Sequence, residues 1–201
     1  MSQATAATNR SARSTATDPD PSDTDALTTT SAARAGDERV VTSPAARGAL
    51  AVLRVAISFV FLWPVLDKTL GLGYATPSER AWLNGGSPTT GYLSSLEGPL
   101  SGPFVEMAGP ATDWLFMLGM GLTGLALLLG VGTRIAAVSG TLLMALLWVT
   151  TWPVAAGSNN PVVDDHVVTA LVVIVVAATR AGETFGLGRV AARVGVPAWM
   201  R

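Results

Sequence analysis

Between Asp113 and Arg134 the chain runs through residues 114–133 without a charged side chain. At 1.5 Å per residue such a run makes a helix about 30 Å long, the thickness of a bilayer's hydrocarbon core. Three further apolar segments flank it, one before and two after. The chain is 49% hydrophobic and 13% charged, about half the charged share of a soluble domain. These features predict an all-α membrane protein, a four-transmembrane-helix bundle. Its helices are expected at about 48–67, 113–133, 135–156 and 163–180, with a structured outer loop over 68–112. Residues 1–47 are dominated by Ser, Thr, Ala, Asp and Pro. Such a segment buries too little apolar surface to offset its ordering entropy, so it reads as a disordered tail. It has no apolar stretch of the kind a secretory signal carries. Residues 181–201 form a second tail.

Basic residues set the expected orientation. Arg134 lies in the short turn between the second and third segments. Arg180, Arg189, Arg193 and Arg201 follow the fourth, against the single acid Glu183. The 68–112 loop has only Lys68 and Arg80. Both termini are therefore expected in the cytoplasm, in a plasma-membrane protein. Trp63, Trp114 and Trp152 fall at the expected outer helix ends, where indole rings favour the headgroup region, and Trp199 is an inner anchor. Gly119 with Thr123, Ala126 with Gly130, and Ala136 with Gly140 have small-xxx-small spacing, suited to close helix contacts. Trp63-Pro64 and Trp152-Pro153 are expected to end the first and third helices alike, a trace of an internal repeat.

The fourth segment is short. Residues 167–179, between His166 and Arg180, are its only uncharged run, about 20 Å of helix. Asp164, Asp165 and His166 therefore belong in a protein-lined recess at the outer end, as ionisable groups at membrane depth usually do. Arg54 and Lys68 flank the first helix and fall near one of its faces, with Asp67 pointing elsewhere. Lys68 is expected to pair with Asp164 or Asp165. Simpler roles exist for each residue: helix capping for Asp164, Asp165 and Asp113, and interfacial anchoring for Arg54 and Lys68.

The chemistry open to this cluster is restricted. There is no cysteine and one histidine, so thiolate, iron–sulfur and bis-histidine haem sites are excluded within one chain. Three consecutive helical residues point about 100° apart and do not converge on a metal, so none is expected. No oxyanion-hole motif accompanies Ser158 or Thr169 near His166. Net charge −1 gives no reason to expect nucleic acid. A quinone fits better, because its reduction consumes protons and its flat body suits an apolar, lipid-open site. His166, Asp165 and Lys68 are the candidate catalytic residues. His166 relays protons, an aspartate sets its tautomer, and Lys68 or Arg54 balances a reduced oxygen. The candidate pocket adds Trp63, Asp67, Trp82, Asn84, Trp152, Asn160 and Asp164. The Gly- and Pro-rich outer loop, with Trp82, Leu83, Tyr92 and Leu93 and a short helix near 104–107, is expected to fold over this cluster as a lid.

Several stretches together resemble the DoxX family, and its DoxD-like branch in particular: WLNGGSPTTGYL at 82–93, Gly98-Pro99, DWLFMLGMGLTGLALLLGVGTR at 113–134, NNPVVDDH at 159–166 and GLGR at 186–189. Arg54 and Lys68 match the family's basic positions around the first helix. The resemblance covers about residues 48–192. It implies a four-helix membrane bundle and a subunit of a thiosulfate:quinone oxidoreductase, with membrane quinone as the electron acceptor. It also implies a second redox or sulfur-handling subunit; a homo-oligomer is a further expectation. Thiosulfate, a dianion, would meet Lys68, Arg80 or protonated His166. The chain shows no haem, flavin or iron–sulfur motif, so a non-catalytic membrane anchor that docks soluble redox or sulfur-transfer proteins is the alternative.

Overall fold

A computed structural model describes residues 40–154, 158 and 160–197. The tail through residue 39, the expected end of the third helix at 155–156, Asn159, Trp199 and Arg201 lie outside the described residues. Among the described residues the regular secondary structure is all helical, with no strand. The first helix, α1 (Pro44–Leu70), starts before residue 48, because Ser43 caps it and Pro44 occupies its first turn, where the missing N–H is no loss. It runs unbroken through Pro64. The expected stop at Trp63-Pro64 is thus incorrect. Neighbouring helices support a proline-containing membrane helix where one backbone bond is lost. The expected repeat loses half its basis, since Trp152-Pro153 does end its helix, with Trp152 in the left-handed region at φ +46°.

Between Gly71 and Gly109 come short 3₁₀ turns at Ser78–Arg80 and Trp82–Asn84, then α2 (Thr90–Leu93) and α3 (Ser101–Glu106). The long helices α4 (Pro110–Leu129) and α5 (Thr133–Thr151) follow, then α6 (Asp165–Ala178), a 3₁₀ turn at Ala181–Glu183 and α7 (Gly188–Arg193). Helices α1, α4 and α5 are long and apolar enough to cross a membrane. Helix α6 has 14 residues, about 21 Å, as its short uncharged run predicted.

The long helices alternate in direction. One end of the bundle carries the 71–109 segment, here the loop end. The other carries the α4–α5 turn and the residues after α6, here the arginine end. Phe61, Leu127, Val173 and Val176 are fully buried at the centre, with Met120, Ala136 and Met144 around them. Val52, Leu115, Val138, Leu142 and Leu171 stand more than half exposed, an apolar exterior suited to lipid. The small-residue seams lie inside. Thr123 Oγ1 and Ser139 Oγ are 2.7 Å apart, and Gly140 packs against Phe61 and Thr123.

Glycines make the arginine end. The α4–α5 turn packs backbone to backbone on residues 182–188, and Leu187 N–H donates to Leu129 O at 2.8 Å. A Cβ on Gly182 would lie 2.3 Å from Gly130 O. Gly182→Ala should therefore lower stability by roughly 1–3 kcal/mol or more through overpacking. Gly91→Ala, where a Cβ meets nothing within 4 Å, should not. Thermal unfolding of both variants in detergent checks this.

Candidate functional site

The loop end holds two abutting cavities. The larger, about 270 Å³, lies between α4, α5 and the loop helices α2 and α3. Leu93, Phe104, Met107, Leu143 and Leu146 make its walls apolar. Its polar groups come from Lys68, near the end of α1, and from Thr89, Tyr92, Thr112 and Thr150. Tyr92 Oη and Thr150 Oγ1 share a hydrogen bond of 2.6 Å, tying α2 of the loop to α5. The smaller cavity, about 180 Å³, is lined by Val60 and Pro64 of α1, Met120, Met144, and Asp165, His166 and Thr169 of α6. Phe116 and Leu147 line both and form the partition.

His166 is the organised group of the smaller cavity. Its Nδ1 lies 2.8 Å from Asp164 Oδ2 and 3.4 Å from Asp165 Oδ1. Asp165 is 89% exposed at its side chain, so Asp164 is the partner that orients the ring. The other oxygen of Asp164 accepts the Val167 N–H at 3.0 Å and caps α6. Burial works to raise the Asp164 carboxyl. The hydrogen bonds from His166 and from Val167 N–H, with the imidazole charge, outweigh it and hold the group below its ordinary value. In the neutral ring, an Nδ1–H donated to Asp164 leaves Nε2 as the lone-pair nitrogen; in the charged ring both nitrogens donate. Pro64 has no N–H for the carbonyl of Val60, and both residues face this same cavity.

The expected pairing of Lys68 with Asp164 or Asp165 does not form. The ion pairs among the described residues are those of His166. The carboxylates that act on Lys68 are Asp67 and Asp113. Asp164 turns back onto its own helix and is satisfied there, while Lys68 lines the larger cavity. Lys68 also lines a polar cleft of about 480 Å³ with Arg80, Ser87 and Thr90. The loop likewise covers a different place from the one expected: it closes the larger cavity beside Lys68, and His166 lies behind the partition.

Asp113 has a larger role than the capping read from sequence. Gly109 is the N-cap of α4. Asp113 sits one turn in, buried, and its Oδ1 accepts from Thr89 N–H at 2.9 Å, Thr89 Oγ1 at 2.6 Å and Ser87 Oγ at 2.8 Å. It straps the loop to α4. The signal was present in Pro110, which starts the helix too early for Asp113 to cap it, and in the donors of the 87–90 stretch.

The remaining candidates line neither cavity. Asp67, 1% exposed, accepts the Tyr74 and Ala75 N–H groups and shapes the turn after α1. Asn84 Nδ2 donates to Ser78 O at 2.7 Å and joins the two 3₁₀ turns. Asn160 Oδ1 accepts from Val162 and Val163 N–H on the approach to α6. Trp63 packs edge-on against Tyr74, and Trp82 against Trp114. The Trp152 ring lies beside Gly98. Arg54 is fully buried at the arginine end, where Nη1 donates to Leu128 O at 2.6 Å and to Leu127 O, and Nη2 donates to Phe185 O at 3.0 Å. Neither snorkelling nor a place in the pocket describes it.

Asp164, Asp165 and His166 do converge, contrary to the expectation from helical spacing. Ligand atoms of Asp164, Asp165 and His166 lie within 4.8 Å of one another, because Asp164 caps the helix from outside it. Its carboxylate is engaged by His166 and Val167. No family model matches the chain, and no curated protein or solved structure matches it.

Proposed function

We propose that this chain is the membrane subunit of a quinone-linked oxidoreductase that acts on thiosulfate or another reduced sulfur compound, the activity its resemblance to the DoxD-like branch implies. The observation that carries the reading is the pair of cavities divided by Phe116 and Leu147, one apolar with Lys68 at its polar end, the other containing the His166–Asp164 pair. About 270 Å³ lies near the lower limit of small-ligand pockets, about 300 Å³. Its aliphatic and aromatic walls fit a flat apolar head.

A bound quinone supplies two carbonyl acceptors and the capacity to take up two electrons. Lys68 holds positive charge beside one carbonyl oxygen, where developing negative charge needs it. Tyr92 and Thr150 shape the wall and are satisfied within it, Thr150 donating to Leu147 O and Tyr92 to Thr150. The Phe, Leu and Met walls exclude water and strengthen these interactions. His166, fixed through Nδ1 by Asp164 in the smaller cavity, serves the head in proton transfer when Phe116 and Leu147 move aside or a water passes between them. The polar cleft with Lys68 and Arg80 suits an anionic donor. In this reading α6 is the fourth span, the termini are cytoplasmic, and the loop end faces outward across the plasma membrane.

The test uses the purified full chain in nanodiscs with a short-chain quinone analogue, and thiosulfate, sulfide and a low-molecular-weight thiol as donors. Lys68→Met should weaken analogue binding, read by tryptophan quenching. His166→Phe should leave binding within about threefold and lower quinone reduction by ~100-fold or more, the usual contribution of a positioned acid–base group. Failure of the wild-type chain to bind the analogue, or unchanged behaviour of both variants, defeats the proposal.

A further inference from the structure

Phe185 combines two features that rarely coincide. Its backbone has φ +51°, a left-handed conformation that glycine adopts freely and a bulky side chain resists. Its side chain is not buried in compensation, since the residue is 86% exposed. The buried Arg54 explains the backbone: its Nη2 binds the Phe185 carbonyl and fixes the turn. It does not explain the ring, because Gly186 follows directly and a second glycine would serve the turn at lower cost. An outlier of this kind points to a use for the side chain.

Phe185 lines an open apolar groove of about 310 Å³ beside α1, together with Ala51, Val52, Val55 and Ala56. Arg47, Ala51 and Val55 recur every four residues and share one stripe of the helix. Arg47 therefore stands one turn from the groove, toward the N-terminus of α1. Its Nε donates to Thr184 Oγ1 at 3.3 Å, which ties the guanidinium to the residue preceding Phe185. The ion pairs among the described residues do not include it. A partly exposed guanidinium one turn from an apolar groove, at the end of a membrane helix, is complementary to a lipid with an anionic headgroup.

We propose that this groove is a binding site for one anionic phospholipid of the adjacent leaflet. One acyl chain lies along Ala51–Val55 against the Phe185 ring, and the phosphate is held by Arg47. The site is at the opposite end of the bundle from the His166 and Lys68 cavities, and it stands whether or not those cavities take a quinone.

The test is native mass spectrometry of the full chain after exchange into phosphatidylglycerol or phosphatidylcholine with identical chains. The wild type should retain phosphatidylglycerol about fivefold over phosphatidylcholine, the preference expected from one basic residue at a membrane surface. Arg47→Gln should abolish the preference. Phe185→Gly should lower retention of both lipids while unfolding no earlier than the wild type, because glycine relieves the left-handed strain. Lost lipid in that variant is then not lost fold. Equal retention of the two lipids by the wild type overturns the proposal, as does unchanged retention in both variants. A dimer that dissociates in Phe185→Gly also overturns it and assigns the groove to a second copy of the chain.

Discussion

Arg54→Met should lower the stability of the bundle by about 2–5 kcal/mol, since it removes three hydrogen bonds from a fully buried charged donor, worth about 1.5–3 kcal/mol each and less than additive where the carbonyls are partly buried. The two most affected are Leu128 O in the last turn of α4 and Phe185 O in the segment after α6. Leu127 O keeps a second donor in Gly130 N–H. The methionine fills most of the volume, so the loss reports hydrogen bonding more than packing. Arg54→Lys discriminates the capping role from simple anchoring. An ammonium that only reached for headgroups would replace the guanidinium at no cost. Here a planar fork spans two chain segments, and a point charge does not reproduce it. The lysine variant should recover less than half of the loss in thermal unfolding in detergent, and equality with wild type would refute the cap. The same fork joins α1 to both the α4–α5 turn and the Phe185 turn, so hydrogen exchange in residues 181–188 should rise in both variants.

Much of the architecture was legible because bilayer thickness is a severe filter on sequence. The uncharged run at 114–133 and the run after Arg134 leave few alternatives to long apolar helices, and α4 and α5 fall close to them. The shortness of α6 was legible from the distance between His166 and Arg180 for the same reason. Pro64 was misread because proline marks a helix end in water, where the freed backbone groups favour solvent, whereas a helix packed among others continues through it. Lys68 was misassigned because helical spacing gives a direction and not a partner. The nearest acids along the antiparallel neighbour were already engaged, Asp164 by its own helix and by His166. Arg54 shows the limit most clearly. A charge in an apolar run announces that something buried must satisfy it, but the satisfying carbonyls belong to a turn 73 residues away. That turn is available only because Gly130, Gly182 and Gly186 let three backbone segments meet.

Asp113→Ala should free the loop from α4 and open the larger cavity. One carboxylate oxygen accepts three bonds from Ser87 and Thr89, and bonds to charged groups contribute about 1.5–3 kcal/mol each in favourable settings. Those bonds are not additive, and water recovers some of them once the strap lifts. A loss of about 3 kcal/mol in local opening free energy is the reasonable expectation, a factor of ~100 in the opening equilibrium. The observable is exchange of the Thr89 amide, which should accelerate by about that factor. Global unfolding should shift far less, because α1, α4 and α5 pack without the strap. The consequence for ligand binding follows from what the strap positions. Thr89 and Tyr92 are walls of the larger cavity, and Asp113 is one of two carboxylates acting on Lys68. With both altered, a quinone analogue should bind at least tenfold more weakly, a loss of about 1.4 kcal/mol. Asp113→Asn keeps one oxygen as acceptor and should fall between the two for exchange. It also removes a charge whose field reaches Lys68, after that of Asp67, so its binding should resemble that of the alanine variant. Separation of the two readouts in Asp113→Asn would show that charge near Lys68, and not closure of the loop, governs the cavity. Unchanged Thr89 exchange in Asp113→Ala would mean that the remaining loop contacts, the Tyr92–Thr150 bond and the Trp82–Trp114 pair among them, hold the loop down without the strap.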